Sequence, residues 1–332
     1  MMPSKGAETD PSNRRNALMK LARLGGLTGL GAATAGLSVW LNARSKHPEE
    51  NEAASFEPRR NLPPDPNLPE MVIAQGEDPR LLVRKSLEKL GGIRRFVAQG
   101  DVILIKPNIG WDRTPEQAAN TNPQVVAEMV RLCREVGARK VIVTDVSCND
   151  PRRCFRRSGI AEAASAEGAE VILPEDRYFK RVNLRSLGTW PVLEPILTAD
   201  KVINIPVAKH HSLPGVTLGM KNWLGIVGGP RVWLHQDIHT SVVDLAEFAR
   251  PTLTIIDAYR VLMRNGPTGG SLSDVEAKKT LIAGTDPVAL DAYAVKTFWN
   301  VDPRTLRYLK IAEDRGLGKM NLEQVRLQKV TV

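Results

Sequence analysis

The chain has 332 residues, 42% of them apolar and 25% charged, with 26 Gly, 23 Pro and 3 Cys. That length suffices for one large or two modest cores, and that composition excludes collagen-like, wholly disordered and disulfide-scaffold chains. The formal charge of +9 suggests a nucleic-acid partner until it is located. The first 44 residues hold Lys5, Arg14, Arg15, Lys20, Arg23 and Arg44 against only Glu8 and Asp10, which leaves +5 for the rest. A mild excess spread over so long a body describes a solvated surface, and no nucleic-acid partner is expected.

Residues 1–43 have the three parts of an export leader. A polar stretch ends in Asn13-Arg14-Arg15-Asn16-Ala17-Leu18-Met19-Lys20, and an uncharged run from Leu24 to Leu41 precedes Arg44. This resembles a twin-arginine signal, with Ala17 where Phe is usual and the lysine one place late. Five glycines (Gly25, Gly26, Gly29, Gly31 and Gly36) keep the run only modestly hydrophobic, which suits that route. The expected partner is the twin-arginine translocation machinery, and the expected location is periplasmic. No clean small-x-small cleavage site follows Leu41. An uncleaved leader with this uncharged run of 18 residues, about 27 Å as a helix, would be the only membrane contact. Residues 44–70, with Pro58, Pro63, Pro64, Pro66 and Pro69, read as an extended tether.

The body, residues 71–332, alternates two kinds of segment. Val102 to Ile105, Lys140 to Thr144, Glu170 to Leu173, Lys201 to Ile205, Leu253 to Ile256 and Thr280 to Ala283 are short aliphatic runs of the kind seen in buried parallel strands. Pro79 to Leu90, Pro123 to Val136, Ile160 to Ala166, Thr240 to Ala249, Pro287 to Phe298 and Thr305 to Arg315 carry apolar residues at helical spacing. The pattern predicts an α/β fold: a mostly parallel sheet with helices on both faces and a ligand site at the strand ends.

The residues that follow each run are those to inspect. They are Lys106-Pro107-Asn108, Asp145 with Ser147 and Cys148, Lys209-His210-His211, Asp257 and Asp286. His210, His211, His235 and His239 fall within 30 residues, beside Lys209, Lys221 and Asn222, a set that suits a metal site or a proton-transfer site. Asp286-Pro287 and Asn122-Pro123 also read as helix N-caps. Asp291 lies on the inward face of its helix and needs a partner, from the protein or from a ligand. Cys148 and Cys154 leave open a disulfide, free thiols or a metal pair, whereas Cys133 reads as core. Arg152, Arg153, Arg156 and Arg157 form either an anion grip or a solvated loop. Gly225 to Pro230 and Gly266 to Gly270 read as turns able to approach an anion.

Together these residues resemble the bacterial and archaeal family called domain of unknown function 362, from about Met71 to about Val325. The resemblance rests on Lys106-Pro107-Asn108, Thr121 with Pro123, Asp145, Lys209 with His211, Thr217, Lys221-Asn222 with Gly225, His235, Asp257, Gly266-Pro267 with Gly270, and Asp286-Pro287 with Asp291. Many relatives carry added ferredoxin-like cysteine motifs. This chain lacks them, so an iron–sulfur cluster held by this chain alone is not expected. The resemblance implies a site without implying a substrate.

The resulting expectation is an exported enzyme acting on a small anionic ligand, with a divalent or redox metal or a small cofactor. His211, Lys209, Lys106 and Asp257 are expected to be catalytic. Asn108, Asp145, Lys221, Asn222, Gly266, Asp286 and Asp291 are expected to bind ligand, and His211 and His235 to hold metal. The alternative is a non-enzymatic ligand-binding or cofactor-handling partner of a redox protein.

Overall fold

A computed structural model describes Leu62, residues 65–213 and residues 215–332. The leader and most of the tether lie outside the described residues. Among those described, no helix is long and apolar enough to cross a membrane.

The first strand, β1 (Met71–Gln75), begins where the tether was expected to end. It is followed by β2 (Val102–Pro107), β3 (Lys140–Val143), β4 (Glu170–Val171), β5 (Phe179–Asn183), β6 (Thr189–Leu193), β7 (Lys201–Ile205), β8 (Val207–His211), β9 (Gly215–Thr217), β10 (Leu253–Leu262), β11 (Val275–Gly284) and β12 (Leu327–Thr331). The main sheet has the order β12-β1-β11-β10-β7-β2-β3-β4, with β8 paired to β10 and β9 paired to β8. β5 and β6 form a separate hairpin. β2, β3, β4, β7 and β10 run parallel, as do β8 beside β10 and β12 beside β1.

Alternation along each strand sends side chains to two apolar layers, which is why the aliphatic runs look continuous. Ile103, Ile105, Val141, Val143, Ile203 and Ile205 pack under the helices Pro79–Lys89, Pro123–Glu135 and Ile160–Ala166. Leu104, Ile142 and Val202 point the other way, into a layer closed by the helix Ile238–Ala249 and the turn Lys221–Ile226. On that side of the sheet Ile73, Ile256 and Ile282 meet the helix Pro287–Trp299. Helices therefore cover both faces. Asp78, Asn122 and Asp286 each cap a helix that opens with proline, accepting from backbone N–H groups of the first turn.

Three expectations are corrected. The run Thr280 to Ala283 belongs to β11, which is antiparallel to both β1 and β10. A strand buried on both faces has the same composition in either direction, so residue types did not reveal its polarity. The strand beginning at Leu253 does not stop before Asp257 but continues to Leu262. Lys209 to His211, expected just past the carboxyl end of a strand, lie within a further strand, β8. Cys148 and Cys154 are both free: Cys148 is exposed, and Cys154 is buried with its Sγ 3.9 Å from the Gly110 carbonyl.

Candidate functional site

β2 connects to β3 on one side, while β7 lies against its other side. The sheet order reverses at that junction, where open α/β sheets form a crevice beyond the carboxyl ends of their strands. A cavity of about 630 Å³ opens there. Its wall takes Lys106 and Asn108 from the end of β2, Asp145 and Cys148 from the segment after β3, Lys209 and His211 from β8, and Thr217 from β9. Lys221, Asn222, Arg231 and His235 complete it. Lys209 and His211 are two residues apart on one strand and so share a face, whereas His210 turns away and accepts from the Gly266 N–H at 3.2 Å.

The floor is a tight polar network. Lys106 Nζ lies 2.7 Å from Asp145 Oδ1 and donates to the Asn222 carbonyl at 2.6 Å, to Asn222 Oδ1 at 3.0 Å and to the Pro107 carbonyl at 3.1 Å. Asp145 Oδ2 accepts from the Ile109 N–H at 2.5 Å. Asn108 Nδ2 donates to the same Asn222 oxygen at 3.0 Å, and Lys209 Nζ donates to Asn108 Oδ1 at 3.2 Å and to the Ala119 carbonyl at 2.5 Å. Asn222 Nδ2 reaches Asn204 Oδ1 at 2.8 Å. A Cβ on Gly225 would stand 1.9 Å from Asp145 Oδ1 and 2.6 Å from Lys106 Nζ, so only glycine lets this turn close over the ion pair.

Cation dominates the remaining charge. Among the described residues Asp145 is the sole carboxylate in the cavity wall, and it is committed to Lys106. Arg231 spends its guanidinium on the carbonyls of Val146 at 2.8 Å and Ser147 at 2.6 Å, which leaves its charge uncompensated. Lys221 is 9% exposed and makes no hydrogen bond or ion pair among the described residues. Thr217 Oγ1, on a residue 4% exposed, also has no partner. Burial pushes the Lys209 ammonium down to about 7 and that of Lys221 down to about 8, with neighbouring cations adding to the shift. Burial, helped by Lys221 and Lys209, lowers His211 to about 3, so its imidazole is neutral. His211 Nδ1 accepts the Leu213 N–H at 3.2 Å, which places the ring proton on Nε2. His235 has the opposite tautomer: Nδ1 faces the Arg231 carbonyl at 3.1 Å and donates to it, leaving Nε2 with a lone pair.

Four of the expected site residues lie elsewhere. Asp257 does not line the cavity; its carboxylate accepts from the N–H groups of Asn122 at 2.7 Å and Tyr259 at 3.0 Å, and burial raises it to about 6. Asp286 follows β11, and Gly284 pairs with Thr254 near the start of β10, so the antiparallel strand delivers Asp286 to the sheet edge opposite the cavity. It caps its helix and accepts from Lys319 N–H at 3.0 Å. Asp291 finds protein partners: the N–H of Gly219 at 2.8 Å, that of Met220 at 3.2 Å and the Tyr308 hydroxyl at 3.2 Å. Gly266 is displaced from the wall, to which its neighbours Pro267 and Thr268 contribute. Of the four arginines in the helix Pro151–Arg157, Arg153 and Arg157 pair with Asp112 outside the cavity.

Sequence reading passed over Asn204, Trp111, Leu213 and Val232. Asn204 had a signal, an amide inside the aliphatic run Lys201–Ile205; the other three are apolar residues of loops and turns, which carry none.

The donor set does not suit a divalent cation held by protein ligands alone. His211 and His235 both face the cavity, but they do so among three lysines and an arginine. Among the described residues no three His, Cys, Asp or Glu side chains gather as a metal-binding group. No chemical step is therefore derived through a metal.

Known proteins bear on the site as follows. A thylakoid-associated protein of Synechocystis is 28% identical over 245 residues, 71% of this chain and 74% of that protein. The lactate racemase apoprotein of Thermoanaerobacterium thermosaccharolyticum resembles 64% of this chain at 14% identity and a TM-score of 0.41. A Thermotoga maritima protein resembles 72% of it at 11% identity and 0.39. This chain spans 54% and 60% of those two structures, and likeness of that degree carries no functional argument. The model of the domain of unknown function DUF362 matches residues 103–296, the stretch that builds the sheet junction and the cavity, and the chain belongs to that family.

Proposed function

We propose that the cavity is the active site of an enzyme that binds a small anion and moves a proton on it. The observation that carries this reading is the charge balance: among the described residues Lys106, Lys209, Lys221 and Arg231 face one carboxylate, and Lys221 has no protein partner. A buried cation without a counterion is costly, and an anionic ligand removes the cost. Lys221 and Arg231 hold the anion, with Thr217 Oγ1 and Asn108 orienting it. His211 offers a neutral Nε2–H donor, and His235 a basic Nε2. Lys209, with a pKa of about 7, exchanges its proton near neutral pH.

The electrostatics supply the test. An anion raises the pKa of Lys209 and Lys221, so binding at pH 8.5 must take up protons. Titration calorimetry with inorganic phosphate and short carboxylates, in buffers of different ionisation enthalpy, reads that uptake. Lys221→Gln is expected to weaken binding about tenfold or more and to diminish the uptake. Binding without proton uptake and indifferent to Lys221→Gln defeats the reading. Turnover is read separately, as deuterium incorporated from D2O into bound carboxylates and lost in His235→Ala while binding persists. Binding with no exchange or conversion reassigns the chain to the ligand-handling class.

We also propose that the chain is exported through its leader to the periplasm, on the strength of Arg14-Arg15 and the glycine-rich run after them. Arg14→Lys with Arg15→Lys should hold the protein in the cytoplasmic fraction; unchanged export would exclude the twin-arginine route.

A further inference from the structure

The cavity inverts the usual distribution of side chains. Much of its charge is deep: Lys106, Lys209, Thr217 and Asn222 are buried, while Arg231 and His235 are part-buried. Its mouth carries exposed apolar side chains, Leu213 at 61% and Val232 at 70% exposure, beside the smaller exposed Ser212 and Cys148, all in the cavity wall. Trp233, next to Val232, is 63% exposed. Few large apolar side chains are this exposed among the described residues, and two of them stand on the rim of the same electropositive pit. Scattered exposed apolar residues need no explanation, but a set gathered at a site does. Between rim and floor the wall adds Trp111, Leu224 and Pro267.

Size points the same way. A volume of about 630 Å³ is that of roughly 20 waters at about 30 Å³ each, far more than one carboxylate or phosphate group fills. A bare anion on the floor would leave Trp111, Leu213, Leu224 and Val232 against water.

We propose that the ligand is amphiphilic: a carboxylate or phosphate head seated on Lys221, Arg231 and Lys209, joined to an apolar body that covers the rim. The inference rests on the anion-binding reading and names the substrate class within it. The charged floor selects the head and fixes its depth. The apolar wall supplies affinity that grows with the length of the body, and the exposed rim lets the far end emerge.

The test is a series of inorganic, ethyl, butyl, hexyl and octyl phosphates, titrated below their micelle-forming concentrations into the full chain. Affinity is expected to rise about fourfold for each methylene buried, up to the length at which the chain clears the rim. The double variant Leu213→Ser, Val232→Ser alters only exposed side chains, so the fold is retained. It should flatten the upper part of the series and leave inorganic phosphate binding unchanged. Alkyl carboxylates run in parallel decide which head is preferred. A flat series, with inorganic phosphate still bound and still sensitive to Lys221→Gln, overturns the amphiphile while sparing the anion site. Failure of every member, inorganic phosphate and carboxylates included, overturns both. Capture of the protein by anionic vesicles, with no response to monomeric alkyl phosphates, overturns the proposal in favour of a membrane surface.

Discussion

In the cavity, among the described residues, Lys221 on the turn after β9 has no protein partner and Lys209 on β8 is held only by a carbonyl and an amide oxygen. The helix Pro287–Trp299 presents the reverse: Asp286 and Asp291 are buried or half-buried carboxylates whose oxygens are taken by backbone N–H groups and a tyrosine hydroxyl. Both regions hold charge away from water. In the second the protein has supplied every partner, which marks a structural role; in the first it has not, which marks a place for something else. Asp291 nevertheless serves the cavity, because the N–H groups it holds, on Gly219 and Met220, immediately precede Lys221 and Asn222.

The largest effect that would test this contrast is at Asp291. Asp291→Leu strips the acceptors from two buried N–H groups and from the Tyr308 hydroxyl, and should cost about 3 kcal/mol or more of stability in chemical denaturation. Asp291→Asn keeps one carbonyl acceptor and should cost about 1 kcal/mol. If Asp291→Leu proves harmless, the carboxylate is not the clamp described.

Lys221 should respond in the opposite manner. Lys221→Met removes a buried cation without a partner, and is expected to leave the ligand-free protein equally stable or up to about 1 kcal/mol more stable at pH 7, while abolishing anion binding. Loss of stability with binding intact would move Lys221 to the structural class.

The pH dependence divides the two regions by sign. Asp291 and Asp257, raised by burial to about 7 and about 6, bind more protons folded than unfolded. Their contribution is fully present below about pH 4 and is lost as pH rises through those values. Lys209 and Lys221, lowered to about 7 and about 8, bind fewer protons folded than unfolded. Their contribution therefore grows as pH rises from about 7 towards 10.5. His211, lowered to about 3, adds a component that rises between about pH 3 and 6.5 and partly offsets the aspartates. Thermal melts should show Asp291→Asn reducing the loss of stability as pH rises towards neutrality, with Asp257 supplying the remainder, and Lys209→Met reducing the gain above neutrality, with Lys221 supplying the remainder. Identical pH profiles for variant and wild type would deny those groups their shifted state.

The smallest effect belongs to Asp286. As a helix cap that also accepts from Lys319 N–H, Asp286→Ala should cost about 1 kcal/mol and leave anion affinity unaltered. A change in affinity would return Asp286 to the site.

Much of this was legible before folding. Local chemistry set the aliphatic runs, the helix periods and the Asx-Pro caps, so Val102 to Ile105, Lys201 to Ile205 and the helices at Pro79, Pro123 and Pro287 appear close to their expected bounds. Lys106, Asn108, Asp145 and His211 reach the cavity because each ends or follows a strand near the sheet junction, a rule that needs only chain order, whereas Lys209 points in from the middle of β8 and Lys221 and Asn222 arrive on the turn after β9. Asp257 and Asp286 escaped the rule for one reason: it assumes where strands stop and which way they run. β10 passes through Asp257, and β11 runs backwards to Asp286. The β5–β6 hairpin was missed because its short strands mix charged, polar and apolar residues without a clean alternation of buried and exposed positions.

The sequence by itself determined the local elements, the family and the residue types from which a site is made, since these depend on contacts within a few residues. Only the tertiary structure decided which charges are answered. Asp291 meets Gly219 and Tyr308, Asp145 meets Lys106, and Lys221 meets no partner among the described residues, because partners far apart in the chain are chosen by the packing of the sheet against its helices.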